Sequence, residues 1–313
     1  MTPTTTPTSY HTSVLPVEAL DALSIRPGGT YVDATFGGGG HSRLILERLG
    51  AQGRLIAFDQ DEDAWKNAPD DPRFTLITEN FRWLSRFLRL HGTPQVDGIL
   101  ADLGVSSHQF DTGERGFSTR YDGPLDMRMD QRSERTAADI LKTYPEEALH
   151  RLFEQYGEVR NSRQLARHIA QGRKGARLTT ISSFKAFIAP VVKGVEARYL
   201  AQVFQALRIE VNEELEALKV LLRQSADCLK PGGRLAVISF HSLEDRLVKR
   251  FMKNGRFEEE LPNNDFAVPE QAAPFSLITP KPLEPSPEEQ GANPRSRSAR
   301  LRVAERRPTG KAA

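Results

Sequence analysis

Four consecutive glycines, Gly37 to Gly40, stand directly after the apolar run Tyr31 to Phe36 and directly before His41. Without a Cβ in the way, such a backbone can close on a ligand, and a helix pattern from Ser42 to Leu49 would turn its amino end toward it. A second short apolar run, Arg54 to Phe58, ends at Asp59, where a carboxylate is placed to accept both ribose hydroxyl hydrogens of an adenosine. The most apolar run, Val96 to Leu103, carries Asp102 near its end, and a carboxylate there is costly to bury unless it meets a ligand or a donor. Asn80 with Phe81 follows a third run, and Ser239, Phe240 and His241 follow a later one. Phe81 has the flat apolar face that stacks on an adenine, although a core aromatic fits the same pattern. Together these residues outline a nucleoside-cofactor crevice.

Dinucleotide binders share this plan but require a third glycine where the helix packs on the strand. Here that position holds Ser42, counted from Gly37, or Arg43, counted from Gly38. A phosphate-binding Gly-x-x-x-x-Gly-Lys-Ser/Thr run is absent as well. S-adenosylmethionine presents a carboxylate, an ammonium and a sulfonium in place of a pyrophosphate, and a glycine loop with polar His41 and no phosphate-binding lysine suits it better. Zinc hydrolysis and zinc deamination lack their ligand motifs, so no metal is expected. Ser106, Asp102 and His241 could be drawn as a hydrolase triad, but no Gly-x-Ser-x-Gly elbow supports it.

The elements that must position these groups alternate. Strand patterns at Tyr31–Thr35, Arg54–Phe58, Arg73–Thr78 and Val96–Leu103 are separated by helical patterns near Ser42–Leu49, Glu62–Asn67 and Arg82–His91, which predicts a parallel sheet covered by helices. The next buried strand pattern, Arg234–Phe240, comes about 130 residues later, after a long helix pattern stopped by Pro231-Gly232-Gly233. A crossover needs only about a dozen residues plus its loops, so the surplus is an insert. The expected organisation is a first part at 1–109, an inserted helical domain at 110–203, and a second part at 204–313. That last part carries a mobile Pro/Glu-rich loop at 263–290, a terminal antiparallel pair from Phe275–Ile278 and Ala299–Val303, and a basic C-terminal segment.

With 313 residues the chain can bury a full core. It has no apolar run of eighteen residues and no basic-then-apolar start, and its one cysteine, Cys228, has no disulfide partner. A soluble, cytoplasmic protein is expected. The net charge of +2 conceals segregation. No acidic residue falls between Glu158 and Glu196, a stretch holding Arg160, Arg163, Arg167, Arg173, Lys174, Arg177, Lys185 and Lys193. From Arg295 onward, Arg297, Arg300, Arg302, Arg306, Arg307 and Lys311 face Glu305 alone. Two such stretches beside a cofactor fold point to a polyanion, with the insert as its clamp.

Taken in order, these motifs resemble the RsmH (MraW) family, bacterial methyltransferases acting on a cytidine N4 in the decoding region of 16S ribosomal RNA. The resemblance runs through His11–Leu15, Asp33–Ser42, Asp97–Ser107, Gly116–Ser118, Asp122–Met129, Phe204–Ile209, Ser239–Arg246 and Asn293–Ser298. It implies a Rossmann-like class I methyltransferase fold with an inserted helical substrate-recognition domain. It further implies a cofactor site for S-adenosylmethionine at Gly39, Gly40, His41, Asp59, Phe81, Asp102 and Gln109, and 16S rRNA within the small ribosomal subunit as partner. Asp102 is then the candidate catalytic residue. The chain departs from the family at Glu196–Val203, where relatives often carry a Pro-Ala-Thr-Arg-like run. It also lacks the Asp/Asn-Pro-Pro-Tyr motif of many amino-methyltransferases, having Asp102-Leu103-Gly104-Val105 instead. A noncatalytic RNA-binding assembly factor on the same fold and a dehydrogenase are the competing readings.

Overall fold

The computed structural model describes residues 13–257 and 273–308. His11, Thr12 and Lys311, and residues 263–272 of the expected loop, lie outside them. The chain divides into two compact units, 1–104 with 217–313, and 105–216.

The first unit begins with helix α1 (Pro16–Leu23) and strand β1 (Thr30–Asp33). Helix α2 (Gly40–Arg48), strand β2 (Arg54–Phe58), the single turn α3 (Glu62–Trp65) and strand β3 (Phe74–Ile77) follow. Helix α4 (Leu84–Leu90) and strand β4 (Val96–Asp102) complete this half. β1 is shorter than expected because the Asp33 carboxylate accepts the Thr35 N–H at 3.1 Å, which turns the chain out of the sheet two residues early.

The second unit is helical: α5 (Ser107–Asp111), α6 (Ala137–Thr143), α7 (Glu146–Gln155), α8 (Ser162–Gly172), α9 (Ile181–Ile188) and α10 (Glu196–Asn212). Hydroxyl capping boxes start three of them, at Ser106, Thr136 and Thr180, so the orphan amides of their first turns are satisfied locally. Leu149, Phe153, Leu165, Ile169, Phe184 and Leu207 lie in its shared core. The boundary expected at 203/204 moves to 216/217. Residues 196–212 form one unbroken helix, and Tyr199, Leu200, Val203, Phe204 and Leu207 all enter that core.

Back in the first unit, α11 (Glu214–Cys228) leads into β5 (Leu229–Ser239), followed by α12 (Ser242–Asn254), β6 (Phe275–Leu277), α13 (Pro287–Ala292) and β7 (Arg300–Arg306). The helix therefore stops at Cys228, before Pro231-Gly232-Gly233. Those three residues form an irregularity at the entry of β5, whose pairing with β4 jumps from Val96–Leu229 to Gly98–Arg234. Cys228 is buried, as a small apolar core position requires, and burial pushes its thiol up to about 11. Within the expected 263–290 loop, Phe275–Leu277 is a strand and residues 287–292 a helix.

The seven strands are ordered β3-β2-β1-β4-β5-β7-β6. The first five are parallel, whereas β7 is antiparallel to both β5 and β6. Alternation along the strands gives the sheet two apolar faces. Tyr31, Leu55, Leu100, Ala236 and Ile238 pack with α1 and α2, and Val32, Ile56, Ile99, Leu235 and Val237 pack with α4, α11 and α12. The order reverses between β1 and β4, and in an open α/β sheet such a switch point opens the ligand crevice at the carboxyl ends of the strands. Among the described residues no helix is long and apolar enough to cross a membrane.

Candidate functional site

All five parallel strands of the first unit deliver polar groups to that rim, and the glycine loop after β1 is its centre. Asp33, 1% exposed, latches the loop from below: one carboxylate oxygen accepts the Thr35 N–H and the other the Ser42 hydroxyl at 2.7 Å. Burial, opposed by these bonds and by nearby His41, raises its pKa. Thr35 in turn accepts the Asp102 N–H at 2.6 Å, tying the ends of β1 and β4 together. Gly37 and Gly39 adopt φ of 52° and 73°, the left-handed region that favours glycine. A Cβ on Gly39 would stand 2.9 Å from the Phe36 ring, so no side chain fits, whereas a Cβ on Gly37 would meet nothing within 4 Å. The loop is tight underneath and open on the side where a ligand would lie. Gly40 begins α2, and its amino end faces the same rim.

The loop is also gripped from β2. Asp59 accepts the Gly37 N–H at 2.7 Å through one oxygen and the Asp61 N–H at 2.8 Å through the other. A carboxylate has about four lone-pair sites, so each oxygen keeps one for a further donor. Withdrawal from bulk water, only partly offset by those two amides, pushes the Asp59 pKa up to about 7, and the Asp61 and Asp33 carboxylates add to the rise. Trp65 Nε1 donates to the Asp59 carbonyl, and Asn67 to the Gly37 carbonyl, completing the grip. After β3, Asn80 caps the turn that begins at half-buried Phe81 and donates to Gln60 at 2.8 Å, which joins the loops after β2 and β3.

Asp102 closes β4 with its side chain 23% exposed, and its buried Oδ1 has no hydrogen-bond partner. Across from Oδ2 stands the His41 ring, with Nδ1 3.6 Å away, too far for a hydrogen bond. The other ring nitrogen of buried His41, Nε2, contacts the Val14 carbonyl at 3.0 Å. A carbonyl only accepts, so Nε2 carries a hydrogen. Desolvation pushes Asp102 up to about 6 against the pull of His41, with the Asp33 and Glu244 carboxylates raising it further. The rim thus offers unsatisfied acceptors and three carboxylates, at Asp33, Asp59 and Asp102. A pyrophosphate would be repelled here. A ligand carrying hydroxyls at one end and cationic or N–H groups at the other fits both the open side of Gly37 and the orphaned Asp102 oxygen.

Beyond β5, Phe240 N–H donates to Glu244 at 2.9 Å, and His241 Nδ1 caps α12 by accepting the Glu244 N–H at 3.4 Å. The ring of His241 is therefore engaged with its own helix. The Ser106 hydroxyl caps α5 in the other unit, so Ser106 and His241, two members of the triad that could be drawn, each serve as a helix cap. Gln109 also belongs to that unit, where its side-chain carbonyl accepts the Ser106 N–H at 2.9 Å.

Of the basic residues in the second unit, Arg160, Arg163, Arg167, Lys174 and Arg177 are exposed. Arg163 and Arg167 stand one turn apart on α8, the latter 3.5 Å from Glu146. Arg173 differs from the expectation for a clamp residue, because its guanidinium donates to the Leu141 and Tyr144 carbonyls at the end of α6. Four participants carry little sequence signal. The Val14 carbonyl is found only by folding, Thr35 and Asp33 look like ordinary turn residues, and Glu244 sits inside a helix pattern. An Asp two residues before a Thr at a strand end is the one hint, since that spacing makes a side-chain turn.

A model of the MraW methylase family matches residues 8–307. The ribosomal RNA small subunit methyltransferase H of Bacteroides fragilis is 54% identical over 301 residues, covering 96% of this chain and 98% of its own. This chain is also similar to the proteins of that name from Flavobacterium psychrophilum, 54% identical over 291 residues with 93% of this chain and 99% of the other covered, and Cytophaga hutchinsonii, 53% identical over 300 residues with 95% and 99% covered.

Proposed function

Because the chain belongs to the MraW methylase family, we propose that it methylates the exocyclic N4 of a cytidine in the decoding region of 16S ribosomal RNA. The coarser activity is ribosomal RNA methylation with S-adenosylmethionine as donor. The observation that carries the site assignment is the anionic, donor-seeking rim: Asp59 with two lone pairs left beside the open face of Gly37, and Asp102 with a buried oxygen unsatisfied. Gly39, Gly40, His41, Asp59, Phe81 and Asp102 would hold the cofactor. Bound there, the cofactor supplies an electrophilic methyl carbon on a sulfonium.

The chain's own part is alignment and hydrogen bonding. A cytosine amine is a poor nucleophile because its lone pair is delocalised into the ring, so it has to be held in line and its N–H groups accepted as it becomes pyramidal. Asp102 is the acceptor for that task, and His41, fixed by Val14, stands beside it. No strong base is needed before attack, since the N–H turns acidic only as the methyl arrives. The base is splayed out of its stack to reach the pocket while basic residues of the helical unit hold phosphates.

Methyl transfer to small subunits lacking the modification, followed by mapping of the labelled base, tests the reading. Label on the N4 of a single cytidine is expected. Label on another base or position overturns the specificity, and RNA binding without transfer turns the protein into an assembly factor. Arg163→Ala with Arg167→Ala should weaken RNA affinity several-fold and lower the salt slope by about one to two, with S-adenosylmethionine affinity unchanged. Unaltered RNA affinity would remove α8 from the clamp.

A further inference from the structure

The methyltransferase unit carries a basic surface of its own, separate from the two basic stretches evident in the sequence. On α12, Arg246, Lys249, Arg250 and Lys253 recur at spacings of three, one and three residues, which gathers them within about 100° of helical arc. Val248, Phe251 and Met252 point the opposite way, into the apolar layer shared with α4 and α11. Lys249 and Lys253 are exposed.

Ordinary amphipathic helices intersperse acids along such a stripe. The two acids of α12 are instead turned inward. Glu244, 2% exposed, accepts the Phe240 N–H. Asp245, 8% exposed, is held by Arg302 at 2.6 and 3.1 Å and by Arg300 at 3.3 Å. On the same side of the sheet α4 bears exposed Arg86 and Arg89 with no acidic residue between Asn80 and His91, while α11 bears Lys219 and Arg223 against exposed Glu216 and Asp227. On the opposite side α1, α2 and α13 bear Glu18, Asp21, Glu47, Glu288 and Glu289 against Arg43 and Arg48, with exposed Arg295 and Arg297 in the turn that follows α13. The stripe on α12 is thus basic with no exposed acid from its own helix.

The placement is functional as well as electrostatic. His241, at the carboxyl end of β5, is the N-cap of α12, so the stripe starts at the rim that holds Gly37, Asp59 and Asp102 and runs back from it at about 1.5 Å per residue. We infer that the exposed face of α12, centred on Lys249 and Lys253, is a docking surface for the sugar-phosphate backbone of the RNA that flanks the target base. This rests on ribosomal RNA being the substrate, and it gives the catalytic unit its own grip on that RNA.

The test uses the full chain with Lys249→Gln and Lys253→Gln together, and an unmodified 16S rRNA transcript as probe. Affinity near 0.15 M salt should fall about tenfold, and the slope of log affinity against log salt should shrink by about 1.5. S-adenosylmethionine affinity and melting temperature should hold. Arg54→Gln with Lys281→Gln, two exposed cations elsewhere on the unit, removes the same net charge and should cost less than twofold, while Lys249→Arg with Lys253→Arg should bind as wild type. Equal losses in the two glutamine pairs, or no loss in the α12 pair, overturn the inference. So does a selective loss of binding to phosphatidylglycerol vesicles with RNA affinity intact, which would assign the stripe to a lipid surface. Wild-type methyl transfer to small subunits is measured alongside: its absence, with the affinity difference intact, removes the substrate reading and leaves the surface standing.

Discussion

Asp102→Asn is expected to abolish methyl transfer and, at the same time, to make the protein more stable at pH 8. The two effects have one origin. Asp102 ends β4 with its backbone N–H held by Thr35 and one carboxylate oxygen buried without a partner, and desolvation lifts its pKa to about 6. A carboxyl whose folded-state pKa stands above its unfolded value favours the fold when protonated. That advantage is complete below about pH 4 and disappears as pH rises through 6, leaving an ionised group in a place that disfavours it. Because the side chain is 23% exposed, the full linkage energy is not realised, and a penalty of about 1–2 kcal/mol at pH 8 is the reasonable size. Asparagine keeps the shape without the charge. Its melting temperature should exceed wild type by roughly 2–6 °C at pH 8 and match it near pH 4. Turnover should fall about a thousandfold or more, since the uncharged amide is a far weaker acceptor for an amine that gains positive charge as it is methylated. Single-turnover label transfer and melting curves at the two pH values check both halves. Retained activity would take Asp102 out of the chemistry, and a lower melting temperature at pH 8 would show that its charge is satisfied. Such a site trades stability for function.

Whether a residue's role can be read from the sequence depends on whether that role is local. The parallel strands are legible because each is a short apolar run followed by a turn, and a strand end is where an open sheet presents its ligand groups. Gly37, Asp59, Phe81 and Asp102 stand out by that position alone; Gly37 is bonded to Asp59 and Asp102 to Thr35, while Phe81 packs against the core layer, as the alternative reading of a core aromatic has it. Gln109 has no such signal and enters only through the family resemblance. Roles set by distant partners leave no local trace. Nothing near His41 says that its ring is oriented by the Val14 carbonyl, 27 residues away. Arg173 reads as one more cation in a basic stretch, yet it serves the carbonyls of α6, because a helix end without its own cap takes whichever donor the fold brings to it. The Pro231-Gly232-Gly233 run carries a strong helix-stop signal, but its place in the fold is the irregular entry of β5, since the sheet recruits Leu229 opposite Val96 across the bulge. The stripe on α12 is hidden for a related reason. Its acids adjoin its bases in the sequence, and only the fold shows Glu244 and Asp245 facing inward.

S-adenosylmethionine affinity should rise steeply with pH between 6 and 7 and level off above 8, and Asp59 is the reason. Its carboxyl holds the glycine loop through the Gly37 and Asp61 amides and keeps a lone pair on each oxygen for the ribose hydroxyls. Burial pushes its pKa up to about 7 in the absence of ligand. Two hydroxyl donors are accepted fully only by the ionised form, because a protonated carboxyl spends one oxygen as a donor. The linked change is therefore close to tenfold per pH unit below 7 and vanishes well above it. Calorimetry at pH 6, 7 and 8 should show that profile in the wild type and a flat, weaker one in Asp59→Asn. Asp59→Ala removes the acceptor altogether and frees two loop amides as well. At about 1.5 kcal/mol for each charge-assisted bond, the affinity should drop roughly a hundredfold, with RNA affinity unchanged because a carboxylate at the end of β2 offers nothing to a phosphate backbone. A pH-independent wild-type affinity would mean that the ribose is held by another group, and a variant that loses RNA binding along with the cofactor would mean that the glycine loop shapes more than the cofactor pocket.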